Sequence, residues 1–135
     1  MAGETLPTKP DGSKYRILIV DDAQFMLKTL EKMIAELGAD VLDTARDGVE
    51  AIEKYKFHMP GVDLVTLDIT MPNKDGIDAL KEIRAMDPKA RCVMVSAMGT
   101  EDNVKQAILL GAKNFIAKPF NQEKIYGVLK LVLSR

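Results

Sequence analysis

The chain of 135 residues has one cysteine, one histidine, and no excess of charge of either sign. A lone thiol excludes a disulfide within the chain and suits a reducing cytoplasm, where the protein is expected to reside. Cys92 lies in the apolar run Arg91 to Val95, so it reads as a small core residue rather than a nucleophile or ligand. Nineteen basic residues against 20 acidic ones leave a net charge of −1. That balance lacks the basic footprint of a nucleic-acid binder, and no such partner is expected. No apolar stretch reaches the roughly 18 residues that a membrane-spanning helix needs, so no membrane insertion is expected. Met1 to Lys14 holds Gly3, Pro7, Pro10 and Gly12 but no apolar core of a signal peptide. Residues 1–14 are expected to form a flexible extension outside the core, with one folded domain over 15–135. There is no internal repeat or low-complexity segment. His58 is a lone residue near a loop and reads as a surface group.

What is present is a soluble, globular composition, 47% hydrophobic and 29% charged. Strand-like and helix-like segments alternate along it. Strands are expected at 15–20, 41–46, 62–67, 91–95 and 114–117. The second, interrupted by Asp43 and Arg46, suits a place near a sheet edge. Helices are expected at 23–37, 48–57, 77–86, 101–110 and 122–133. Met26, Leu30, Met33 and Leu37 recur at helical spacing in the first of these, and Val49, Ile52 and Lys56 in the second. Val104, Ala107, Ile108 and Gly111 form the expected core stripe of the fourth, and Ile125, Val128, Leu129 and Val132 that of the fifth. Gly38 and Gly111 read as helix stops, and Pro88 ends the third helix. Five such pairs with short connections imply a single (βα)5 doubly wound α/β fold with a parallel sheet and helices on both faces. The chain ends near the fifth helix, so no attached output domain is expected.

Two of the buried runs end in aspartates. Ile17 to Val20 leads into Asp21-Asp22, and Val62 to Leu67 leads into Asp68. In open α/β sheets, ligands bind at the carboxyl ends of the strands. Three carboxylates delivered there repel one another unless a cation intervenes, and oxygen-only ligands favour a hard ion such as Mg²⁺. Ser96 follows Val93-Met94-Val95, and Lys118 follows Asn114 to Ala117, at the same edge. Carboxylates, a hydroxyl and an ammonium are the parts needed to phosphorylate a carboxylate. Asp68 would be the nucleophile, with Ser96 and Lys118 holding phosphoryl oxygens.

These residues carry a resemblance. Asp21-Asp22 after ILIV, Asp68 in LDITMPNKDG, Ser96-Ala97 after VMV, and Lys118-Pro119-Phe120 resemble the receiver domain of two-component response regulators, over about residues 15–133. Within that family, DDAQFM, DITMP, SAMG and GAKNFIAKPF are most similar to single-domain chemotaxis regulators of the CheY type. The resemblance implies a flavodoxin-like sheet with strand order 2-1-3-4-5. It also implies that Asp68 is the phosphoacceptor, that Asp22 and Asp68 bind Mg²⁺ directly with the Thr70 carbonyl, and that Asp21 acts mainly through water. Ser96 and Phe115 match the family's switch pair, though Phe115 lacks the hydroxyl of the tyrosine often found there. The Lys118-Pro119 bond matches one that is cis in receivers. Thr70 and Met98 match positions that border the phosphoryl group and tune dephosphorylation. Met98 cannot orient an attacking water, so slow to moderate self-dephosphorylation is expected. The implied partners are a histidine kinase of the chemotaxis type, the flagellar motor switch protein and a phosphatase, and the implied state is a monomer. The protein would be no enzyme beyond its own phosphorylation and dephosphorylation.

Other classes fit less well. A haloacid-dehalogenase-type hydrolase needs a second aspartate where Thr70 stands. A flavodoxin-type FMN carrier needs a phosphate-cradling first loop, which Asp21-Asp22 would oppose. A phosphorelay intermediate passing phosphate to another histidine protein is the alternative within the receiver class. Leu109 and Leu110 lie partly off the core stripe and are candidates for a docking surface.

Overall fold

The computed structural model describes residues 4–97 and 100–134. Strands and helices alternate as β1 (Arg16–Val20), α1 (Gln24–Glu36), β2 (Asp40–Ala45), α2 (Gly48–His58), β3 (Leu64–Leu67), α3 (Gly76–Met86), β4 (Cys92–Ser96), α4 (Glu101–Leu109), β5 (Asn114–Ala117) and α5 (Gln122–Leu133). All strand pairs are parallel, in the order β2-β1-β3-β4-β5. The expected fold class, strand order and edge position of the second strand are therefore observed. Chain order reverses between β1 and β3, which makes the space above their carboxyl ends the topological switch point.

The alternation of side chains along each strand divides the core in two. Ile17, Ile19, Leu64, Val93, Val95 and Ile116 face α1 and α5. Leu18, Val20, Val65, Leu67, Cys92 and Met94 face α2, α3 and α4. Both faces of the central strands are covered, which is why their sequences are continuously apolar. Cys92 is fully buried, and burial pushes its thiol well above the ordinary range, as befits an inert core residue.

Helix ends follow local chemistry. Asp47, Asp75, Thr100 and Asn121 cap α2 to α5 by accepting the backbone N–H of Glu50, Asp78, Asn103 and Lys124. Gly38 and Gly111 take the left-handed conformation (φ 92° and 102°) just past α1 and α4, where they were expected to stop the helices.

Several expectations need correction. The buried face of α1 is Leu27, Leu30, Ile34 and Leu37, with Met26 and Met33 only at its margin. That of α2 is Gly48, Ala51 and Tyr55, while Val49 and Lys56 are exposed. In α4, Ala107 is the buried residue and Ile108 is 48% exposed, so Ile108 leaves the expected core stripe. Strand β3 begins at Leu64 rather than Val62, and Asp63 accepts the Arg16 N–H on its carboxylate (2.8 Å) just before it. The N-terminal segment is not wholly outside the core. Leu6 is buried against the α1–α5 cluster and donates its N–H to the Leu37 carbonyl (2.7 Å), and Lys9 pairs with Asp63 (2.8 Å). Small spacers such as Pro7 and Pro10 hid one apolar anchor among polar neighbours.

Candidate functional site at the carboxyl edge of the sheet

Parallel pairing carries the polar residues to one edge. Val20 lies opposite Leu67, so the next residues, Asp21 and Asp68, emerge side by side. The ladder extends one step beyond the strands: Asp21 donates its N–H to the Ala45 carbonyl (3.0 Å) and Asp68 to the Val20 carbonyl (3.1 Å). Ser96 pairs with Ala117 in the β4–β5 register, and Lys118 donates its N–H to the Ser96 carbonyl (3.1 Å). The backbones of four site residues are thus fixed by sheet hydrogen bonds.

Asp21, Asp22 and Asp68 bring carboxylate oxygens within 4.8 Å of one another. Asp21 and Asp68 are buried and Asp22 is exposed, giving the cluster a floor and an open side. Lys118 Nζ lies 2.6 Å from Asp21 Oδ2 and 3.4 Å from Asp68 Oδ2. Asp21 also accepts the Ala23 N–H at 2.9 Å, which folds the loop back over its carboxylate. Burial raises the Asp68 carboxyl above its ordinary value of 3.8. A hydrogen bond from Ser96 and the Lys118 ammonium oppose that rise, and the Asp21 charge adds to it.

Three carboxylates against one ammonium leave the cluster short of positive charge. Oxygen donors alone, one of them exposed and two on buried loop starts, suit a small hard divalent cation. The residues present therefore fit Mg²⁺.

Asp21, Asp22, Asp68, Ser96 and Lys118 converge. Thr70 is exposed two residues past Asp68. Phe115 is half-buried beside the α2–α4 cluster, paired in register with Met94. Met98 lies outside the described residues. The Lys118-Pro119 bond is cis as the resemblance implied, and Met59-Pro60, not anticipated, is cis as well.

Two features around the site escaped sequence reasoning. A Cβ on Gly76 would stand 1.9 Å from the Asp68 carbonyl oxygen, so the loop closes against the backbone of Asp68 itself. Asn73 donates to Asp47 at 2.7 Å, joining the Asp68 loop to the start of α2. The turn signals in Pro72 to Gly76 were visible, but not what the turn touches.

On the far side of α4, Glu101, Val104, Lys105, Ile108 and Leu109 line a shallow apolar groove of about 620 Å³. Leu109 is 85% exposed there, whereas Leu110 turns back to the core.

Fold and site together define an α/β domain with an acidic cluster, fit for a cation, at its switch point. The sequence matches the family described as response regulator receiver domain over residues 17–130. The chemotaxis protein CheY of Treponema pallidum is 50% identical over 93% of this chain and 87% of its own length. That of Bacillus subtilis is 48% identical over 89% of this chain and 98% of its own. A chain from the crystal structure of the CheX–CheY–BeF3–Mg²⁺ complex of Borrelia burgdorferi superposes with a TM-score of 0.90 at 44% identity, covering 93% of each chain. The chain belongs to the response regulator receiver domain family, and its type within it is that of CheY. No helix of the described residues is long and apolar enough to cross a membrane.

Proposed function

We propose that this protein is a stand-alone chemotaxis response regulator, phosphorylated on Asp68 by a histidine kinase. The convergence of Asp21, Asp22, Asp68, Ser96 and Lys118 on one edge carries this reading. An Asp68 carboxylate oxygen attacks phosphorus, the bond to the donor's histidine nitrogen breaks, and an acyl phosphate forms. Lys118 and the Ser96 hydroxyl hold phosphoryl oxygens, with the Asp68 loop keeping the acceptor aligned. Asp22 and Asp68, with the Thr70 carbonyl, would hold Mg²⁺, and Asp21 would act mainly through water. The ion supplies charge neutralisation for the phosphoryl oxygens.

The group on Asp68 draws the Ser96 hydroxyl toward it and opens space for the Phe115 ring, biasing two arrangements that pre-exist. Output is by binding, through the apolar groove on α4, to a flagellar motor switch protein. Signal termination involves a phosphatase, and a partner of the CheX kind is supported by the complex in which the Borrelia relative was crystallised. The protein acts as a monomer in the cytoplasm and is no enzyme toward separate substrates.

Incubation with acetyl phosphate and Mg²⁺, followed by intact-mass measurement, tests the central step. Wild type should gain one phosphoryl group and Asp68→Asn none. An adduct that persists in the variant, or fails to form in wild type, sinks the assignment. Transfer of the phosphoryl group onward to a second histidine protein would favour the relay alternative instead.

A further inference from the structure

We infer that Asp47 and Asn73 form a clasp that positions the phosphoacceptor loop, and thereby sets how well the site takes up its divalent cation. The inference deepens the reading above and rests on it.

The loop between β3 and α3 carries Asp68 at one end and Thr70 near its middle. Its ends are well held. Asp68 joins the sheet ladder, Ile69 and Met71 are buried, and Gly76 donates its N–H to the Ile69 carbonyl (2.8 Å). Its apex, Pro72 and Asn73, is exposed and contributes nothing to the core. The start of α2 holds that apex. Asn73 Nδ2 donates to Asp47 Oδ2 at 2.7 Å, and Gly48 donates its N–H to the Lys74 carbonyl at 2.8 Å.

Three details mark this as a built contact. Asn73 has φ 66°, a conformation that asparagine tolerates better than most residues and that turns its amide to Asp47. A Cβ on Gly48 would lie 2.5 Å from the Lys74 carbonyl oxygen, so the two backbones meet where only glycine fits. Asp47 Oδ1 caps α2 at 2.8 Å from the Glu50 N–H. Serine would cap equally well, so the second carboxylate oxygen serves the clasp. Both bonds keep the Asp47 carboxyl below its ordinary range, the Glu50 N–H contributing more than Asn73.

A divalent cation such as Mg²⁺ needs its oxygen ligands held at fixed separations in a near-octahedral arrangement. Asp21 and Asp22 come from the loop after β1, whereas Asp68 and Thr70 come from the clasped loop. Sway of its apex loosens the second set relative to the first. Asp47 and Asn73 are thus positioning residues, acting through the loop rather than on the ion.

The test compares full-length wild type with Asp47→Ser, Asn73→Gly, Asn73→Asp and the Asp47→Ser/Asn73→Gly double variant. Thermal melts across a MgCl₂ titration give the half-saturating Mg²⁺ concentration. Intact mass gives the rate of adduct formation from acetyl phosphate. Loss of one hydrogen bond should raise the half-saturating concentration roughly three- to tenfold, with the rate at saturating Mg²⁺ nearly unchanged. The double variant should be no worse than the worse single one, since both remove the same contact. Asn73→Asp keeps the backbone preference but sets two carboxylates together, so it should lose at least as much as glycine. Wild-type titrations in Asn73→Gly and Asp47→Ser, additive losses in the double variant, or a neutral Asn73→Asp would each overturn the clasp while leaving the phosphoryl reading intact. A wild type that neither gains stability from Mg²⁺ nor takes up a phosphoryl group would overturn both.

Discussion

At the scale of single residues, the sheet contains two polar groups whose burial has opposite meanings. Thr66 sits in β3 on the α1–α5 face, and its Oγ1 is buried without a partner among the described residues. No chemistry uses it, so Thr66→Val, close in shape, should stabilise the fold by about 0.5–1 kcal/mol, read by chemical denaturation. The burial of Asp68 belongs to the chemistry proposed for it. Its carboxyl is raised above 3.8 chiefly by desolvation, so the folded state prefers it protonated. A raised folded pKa contributes stability that is fully present below the unfolded value and lost as pH rises through the folded one. At neutral pH without Mg²⁺ the carboxylate therefore weakens the fold. Asp68→Asn should melt higher than wild type at pH 7 and lose that advantage below about pH 3.8. Lys118 keeps Asp21 as partner in the variant, so removing Asp68's charge does not strand it. An equal advantage at both pH values would show that packing, not desolvation, is responsible.

At the scale of elements, strands were more legible than helix faces. A strand buried on both sides is continuously apolar, and the polar residue at or just past its end marks the sheet's edge, so Asp21, Asp68 and Ser96 could be placed from order alone. Helix phase was less legible where small or polar-tipped residues face inward. In α2 the inner face is Gly48, Ala51 and Tyr55, and the Tyr55 hydroxyl donates to Asp87 at 2.6 Å. Val49, more apolar than any of these, lies outside because Gly48 must meet the Asp68 loop. The same holds for Ile108, left exposed beside the α4 groove. Contacts between elements distant in sequence, such as Gly76 against Asp68, have no local signal at all. Gly76→Ala forces its Cβ into the Asp68 carbonyl, which cannot yield without moving Asp68. It should cost more than about 2 kcal/mol of stability and, by displacing Asp68, both slow phosphorylation from acetyl phosphate and lower Mg²⁺ affinity. A variant with wild-type stability would mean the loop has slack that this geometry denies.

At the scale of the whole molecule, the carboxyl edge of the sheet carries the proposed chemistry and the opposite edge carries its foundation. There Leu6, the Lys9–Asp63 pair and the bond from Leu6 N–H to Leu37 close the space beneath α1 and α5. Asp63 serves twice, accepting the Arg16 N–H as well, so it joins the N-terminal segment to the start of β1. A segment that only trailed from the domain would bury no leucine. Because Leu6 is nearly fully buried, Leu6→Ala should cost about 2–3 kcal/mol, the usual range for a leucine truncated in a core that collapses partly. Lys9→Ala removes a part-exposed ion pair and should cost at most about 1 kcal/mol. Neither residue is near Asp68, so the phosphorylation rate and its Mg²⁺ dependence should stay at wild-type levels below the melting transition. Denaturant melts of both variants, paired with the intact-mass rate, separate the two edges. If Leu6→Ala melts like wild type, the segment is an ornament of the surface; if it also alters Mg²⁺ dependence, the two edges are coupled through α1, whose first turn follows Asp22 and whose last carbonyls meet Leu6.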